Sequence, residues 1–155
     1  MKIVIGMLWA KSVKGRLPKF RTPGAGELFE FFLHRAQGHF QKTQPEALSL
    51  SNLSNRSAGE YLILCERSQN RPMGLKSEEL AQKIEDLKVS GCSSLVVVIG
   101  PADGFSKAEI ASLQPDLLWC LGEGTLPHEL ASVVVMEQIY RALSILDKHP
   151  YHLGH

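Results

Sequence analysis

No apolar run in this sequence approaches the roughly 20 residues needed to cross a bilayer, which argues against a membrane-spanning protein. The start, Met1-Lys2-Ile3-Val4-Ile5, is too short an apolar stretch for a secretory leader and lacks a small-residue cleavage site, so a cytoplasmic location is expected. Cysteine is scarce. Cys65, Cys92 and Cys120 are odd in number, far apart and outside any Cys-x-x-Cys spacing, so they read as reduced, mostly buried thiols. Also missing are G-x-G-x-x-G, the phosphate-binding G-x-x-x-x-G-K and the Gly-x-Ser-x-Gly elbow. Their absence weakens dinucleotide, nucleoside-triphosphate and serine-hydrolase readings. His149, His152 and His155 recur every third residue, but Pro150 keeps them off one regular helix, and no metal site is expected.

What is present suits one globular domain spanning residues 1–155, with 44% hydrophobic and 21% charged residues. The net charge of +1 conceals an asymmetry. Residues 1–76 carry 12 Lys+Arg against 5 Asp+Glu, a net +7, and residues 77–155 carry 5 against 11, a net −6. The basic half suits contact with a polyanion. Within it, Lys11, Lys14, Arg16, Lys19 and Arg21 form a basic segment with no acid before Glu27. Trp9 and Phe20 flank it and are candidates to stack on exposed bases.

Strands are expected at Lys2 to Leu8, Ala47 to Leu53, Tyr61 to Cys65, Leu95 to Ile99 and Asp116 to Leu121. Glu27 to Phe40 has helical spacing through Leu28, Phe31, Phe32 and Ala36. A polar loop is expected from Glu66 to Lys76. Ser77 is expected to cap the next helix and Gly91 to end it, and Ser106 with Glu109 forms a capping-box pair for a short helix. Pro127 opens a long helix whose apolar residues, from Leu130 through Leu146, cover more than one face. That extra face needs a cover, and a second copy of the chain is the simplest. The alternation of buried strands and helices predicts an α/β fold with a mainly parallel sheet.

Two glycine-bearing loops, Gly100 to Gly104 and Gly122 to Thr125, follow buried strands at their carboxyl ends, where open α/β sheets bind ligands. Three blocks then carry a family likeness: Thr125-Leu126-Pro127-His128-Glu129-Leu130, Tyr140-Arg141-Ala142-Leu143-Ser144-Ile145 and His149-Pro150-Tyr151-His152. In order and spacing they resemble the RlmH family of SPOUT methyltransferases, and the likeness extends more loosely to Leu95 through Ser106. The resemblance implies a SPOUT α/β domain with a C-terminal trefoil knot, a homodimer, and S-adenosyl-L-methionine as cofactor. The implied reaction is N3-methylation of a pseudouridine in large-subunit (23S) ribosomal RNA.

By the same resemblance, Leu64, Gly100, Pro101, Gly122, Glu123, Gly124, Thr125, Leu126 and Pro127 hold the cofactor. Arg141, Tyr151 and His152 lie near the acceptor, with His152 as proton acceptor or orienting group. Three positions depart from the family pattern. Pro101 stands where a glycine is usual, Cys65 begins a longer loop in place of an aspartate, and Leu153 replaces an arginine. Two other functions fit the same sequence: a non-catalytic RNA- or ribosome-binding homologue, and a SPOUT methyltransferase acting on another RNA.

Overall fold

The computed structural model describes residues 1–11, 18–66 and 73–153. Its elements, in chain order, are β1 (Lys2–Met7), α1 (Ala25–His39), β2 (Thr43–Ala47), α2 (Leu50–Ser54), β3 (Glu60–Cys65), β4 (Met73–Gly74), α3 (Ser77–Val89), β5 (Ser94–Ile99), α4 (Lys107–Leu113), β6 (Leu117–Cys120) and α5 (His128–Leu146). A single 3-10 turn, Pro150–His152, follows. The strands form one sheet in the order β2-β1-β5-β3-β6-β4, and every pairing is parallel.

A parallel sheet needs helical crossovers and is covered on both faces, which is why its central strands read as continuous apolar runs. Ile3, Ile5 and Met7 of β1, Ile63 of β3, Leu95, Val97 and Ile99 of β5 and Trp119 of β6 point to the face covered by α1, α3 and α5. The alternate residues, Val4, Leu62, Leu64, Val96 and Val98, form a second core with Leu53 of α2, Leu113 of α4 and Phe105. Each fully buried aliphatic or aromatic side chain contributes about 1.5–3 kcal/mol relative to exposure.

Several sequence expectations shift. The weak alternation at Ala47 to Leu53 is not a strand: β2 ends at Ala47, and α2 follows, capped by Ser49 with a reciprocal bond to Asn52. Short-range capping prevails there over a weak period-two pattern. In α1 the buried stripe is Ala25, Phe29, Leu33 and Ala36, while Leu28 and Phe31 are 49% and 45% exposed. The helix is rotated by about one residue from the stripe expected, because Phe29 and Leu33 reach the core. The polar loop after β3 contains β4, whose two residues extend the sheet beside β6. Ser77 is the first residue of α3 rather than its cap. Glu79 instead accepts from the Lys76 amide at 2.7 Å, and the Ser77 hydroxyl donates to Gln138 on α5. Gly91, at φ 81°, follows α3 in the left-handed conformation that ends helices, and the Ser106–Glu109 capping box of α4 is present.

Most of the α5 apolar surface is covered within the chain. Ala131, Val135, Met136, Ile139, Ala142 and Leu143 are among its buried residues, packed in one core with α1, α3 and the sheet. Leu130 of the same helix stays 44% exposed. Trp9 and Phe20 also pack against this core. Their rings meet at 5.2 Å, and the Trp9 indole N–H donates to Ser132 on α5 at 3.0 Å. They are structural side chains rather than free stacking platforms. Lys14 and Arg16 lie outside the described residues, whereas Lys11, Lys19 and Arg21 are exposed. Among the described residues no helix is long and apolar enough to cross a membrane.

Candidate active site

Register brings three loops together. Cys65 of β3 pairs with Ile99 of β5 and with Trp119 of β6, so the chain leaves all three strands side by side at their carboxyl ends. Between these exits and the first turn of α5 lies an open cleft of about 260 Å³, slightly below the ~300–1,000 Å³ of ordinary ligand sites. It is lined by Cys65 and Glu66 after β3, Ile99 to Ala102 and Gly104 after β5, Leu121 to Leu126 after β6, and His128 and Ala131 on α5.

Backbone demands explain the glycines. At Gly100 a Cβ would come within 2.8 Å of the buried Phe105 ring, so only glycine allows the β5 loop to lie this close. Gly122 has φ +134°, a conformation that L side chains rarely adopt. Pro101 leaves the first loop intact, because its turn uses the Pro101 carbonyl, which accepts from the Gly104 amide at 2.8 Å, and not the missing N–H.

Of the residues expected to hold the cofactor, Gly100, Pro101, Gly122, Glu123, Gly124, Thr125 and Leu126 line the cleft. Leu64 does not. It is fully buried in the second core, on the opposite face of the sheet, and the strand's alternation turns the neighbouring Cys65 toward the cleft side. Pro127 is the N-cap of α5 and lies outside the lining.

The electrostatics of the cleft are distinctive. Among the described residues its lining holds no Lys or Arg but two carboxylates, the buried Glu66 and the exposed Glu123. Phosphate groups would meet negative potential there, whereas a cationic ligand would be favoured. Burial, reinforced by the Glu66 carboxylate, pushes the Cys65 thiol well above the usual thiol range. It therefore stays neutral and is no nucleophile. Glycine loops that offer backbone amides and carbonyls, apolar Ile99, Leu121 and Leu126, and this negative charge fit an uncharged nucleoside joined to a cationic group.

The residues expected near the acceptor form a second cluster at the other end of α5. Glu137 accepts from Arg141 Nε at 2.9 Å and from the Tyr151 hydroxyl at 3.0 Å, and its salt bridge to Arg141 closes to 2.6 Å. The Arg141 guanidinium also lies 4.8 Å from the centre of the Tyr151 ring. His152 Nδ1 is 3.2 Å from Arg141, and its Nε2 is 2.8 Å from Glu78 on α3. A guanidinium only donates, so Nδ1 must accept and Nε2–H donates to Glu78. Both ring nitrogens are thus engaged, and His152 as docked has no lone pair left for a proton acceptor's role.

Glu78's carboxyl is held below its ordinary value, first by a backbone hydrogen bond and then by His152. Tyr151's phenol is raised by burial and then by its bond to Glu137, which keeps it a donor. Leu153, beyond this cluster, is 75% exposed. Sequence reasoning missed Glu137 and Glu78, because their roles depend on pairings that only the fold creates. Among the described residues no group of three His, Cys, Asp or Glu could hold a metal ion, and His155 lies outside them.

A family model described as "Predicted SPOUT methyltransferase" matches residues 24–152, a span that includes both clusters. The chain belongs to the SPOUT methyltransferase family. As a family member it is an S-adenosylmethionine-dependent methyltransferase. A relative from Koribacter versatilis named "Ribosomal RNA large subunit methyltransferase H" is 40% identical over 108 residues, covering 70% of each chain. A protein of the same name from Maricaulis maris is 34% identical over 123 residues, covering 74% of this chain and 76% of its own. Another from Psychrobacter cryohalolentis reaches 48% over 80 residues, about half of either chain. For the SPOUT methyltransferase, the glycine-loop cleft and the Glu137-centred cluster are therefore the two sites whose relation has to be explained.

Proposed function

We propose that this chain, as a single cytoplasmic domain, methylates N3 of a pseudouridine in large-subunit ribosomal RNA, with S-adenosylmethionine held in the cleft. The observation that carries this reading is the cleft's chemistry: two glycine loops at adjacent strand ends, apolar walls, and the carboxylates of Glu66 and Glu123. The relatives named for large-subunit ribosomal RNA supply the substrate class.

When bound, S-adenosylmethionine supplies a methyl group on a sulfonium that is electrophilic without a metal. The loops Gly100–Gly104 and Leu121–Leu126 would hold its nucleoside through backbone groups, and Ile99, Leu126 and Ala131 would exclude water. Glu66 would favour its positive charge. We read Arg141, Tyr151 and His152 as an orienting group for the acceptor, with the Arg141 charge favouring the deprotonated ring.

Ala131 and Arg141 are ten residues apart on α5, about 15 Å at 1.5 Å per residue. That spacing sets one chain's cluster apart from its own cleft, and we propose that it serves the cleft of a second copy in a homodimer. Exposed Leu28 and Phe31 on α1 and Leu130 on α5, two helices that pack together, offer apolar surface for that contact. The proposed C-terminal knot would fix the β6 loop and α5 against the sheet.

A non-catalytic ribosome-binding role is the competing reading, favoured by Leu153 in place of a cation. Calorimetry separates the two. The methyltransferase reading predicts saturable heat with S-adenosylhomocysteine and one site per chain, whereas no heat at millimolar ligand would remove the enzyme reading and leave the binding role.

A further inference from the structure

The first turn of α5 joins two parts of the molecule that the mechanism treats separately. On one side, His128 and Ala131 line the cleft. On the other, the same turn grips both approaches to the basic segment. The buried Glu129 carboxylate, 8% exposed, accepts from the backbone amides of Arg21 at 2.6 Å and Thr22 at 3.0 Å. Ser132 accepts from the Trp9 indole and donates to the His128 carbonyl, and the Trp9 and His128 rings lie 4.9 Å apart. A carboxylate in a helix's first turn is favoured by the macrodipole, and two backbone amides satisfy its charge more rigidly than a flexible cation would.

We infer that Glu129 is a positioning residue that fixes the Lys19–Arg21 stretch beside the cofactor cleft, so that phosphates held by these exposed cations place the RNA relative to the methyl donor. The inference rests on the proposed methyltransferase reading. Glu129 touches neither cofactor nor RNA. It holds the backbone from which Lys19 and Arg21 project, and it belongs to the same helical turn that walls the cleft. Phe20, between the two cations, is anchored on the core by its contacts with Trp9 and Phe29, so the stretch is held by its backbone at one point and by an aromatic side chain at another.

The test compares Glu129→Ala with Glu129→Gln. The amide of glutamine keeps one oxygen acceptor for the two N–H groups, and alanine keeps none. Three quantities are measured on intact protein: S-adenosylhomocysteine affinity, methyl transfer to ribosomes from cells lacking the gene, and the salt dependence of binding to those ribosomes. The expected result for Glu129→Ala is a KM for ribosomes raised about tenfold with kcat within about twofold, the pattern of lost substrate positioning. The slope of log affinity against log salt flattens by about one to two, as one or two phosphate contacts are lost. S-adenosylhomocysteine affinity stays unchanged, and Glu129→Gln recovers most of the ribosome KM.

Unchanged ribosome KM and salt slope in Glu129→Ala, with wild-type transfer intact, would overturn the inference and leave the methyltransferase reading standing. Parallel loss of cofactor and ribosome binding in both variants, with a lowered Tm, would assign Glu129 a merely structural role and overturn it too. Absence of methyl transfer in the wild type would instead remove the reading on which it rests.

Discussion

Ala131→Phe is expected to abolish methyl transfer while leaving the protein folded. Ala131 lines the cleft from α5. A phenyl ring at that position projects into the volume assigned to the nucleoside. Ala131 is also buried in the core, so the larger ring costs some stability as well. Added bulk inside a packed core costs typically about 1–3 kcal/mol through strain, which a lowered Tm would register without unfolding the chain. The heat of S-adenosylhomocysteine binding should disappear, an affinity loss of at least about 100-fold or roughly 2.7 kcal/mol. Ribosome association should persist, because the exposed Lys19 and Arg21 are untouched. If the variant keeps wild-type cofactor affinity, the cofactor is bound elsewhere.

The second large effect is expected from Glu137→Ala. Glu137 binds Arg141 through two nitrogens, takes the Tyr151 hydroxyl and also accepts from Gln138 at 2.7 Å. Its side chain and that of Arg141 are only 18% and 15% exposed, so removing the carboxylate leaves a largely buried cation without its main partner. The expected cost is about 2–3 kcal/mol, a fall in Tm of roughly 5–10 °C for a chain of this size. The tail loses its anchor at Tyr151, so methyl transfer should fall at least about tenfold, as expected when an orienting group is displaced. Cofactor affinity should not change, because the cleft lies at the other end of α5. Mixing this variant with Ala131→Phe adds a sharper expectation. If one subunit's cluster serves its partner's cleft, heterodimers of the two inactive proteins contain one intact composite site and recover activity. If each chain is self-sufficient, mixing restores nothing.

The sequence made the sheet legible because its central strands are buried on both faces, and Tyr61 to Cys65 and Leu95 to Ile99 therefore stand out as continuous apolar runs. Both glycine loops were legible for a related reason: a tight exit from such a strand requires unusual backbone, as Gly100 and Gly122 illustrate. What could not be read was the pairing between distant segments. Glu129 stands in a helix's first turn, where an acid is ordinary, and nothing local reveals that it holds Arg21 and Thr22 more than a hundred residues away. Trp9 and Phe20 looked free because their neighbours in sequence are polar and basic, although their neighbours in space are core residues of α1 and α5. The stripe on α1 was misplaced by one residue because Leu28, Phe29, Phe31, Phe32 and Leu33 give two overlapping apolar faces. Only packing against α5 selects between them.

The family resemblance assigns Thr125, Leu126 and Pro127 to the cofactor and Arg141, Tyr151 and His152 to the acceptor, and the long helix α5 separates the two groups. In the proposed homodimer, the partner's cluster would bridge that separation. His152 is hydrogen-bonded within its own chain, to Arg141 and Glu78.

Mass spectrometry of large-subunit ribosomal RNA fragments, from cells with and without this gene, tests the central claim most directly. The account predicts the loss of one methyl group, about 14 mass units, from a single pseudouridine-containing fragment, restored by the wild-type gene and not by Ala131→Phe. A fragment map identical in the two strains would contradict it.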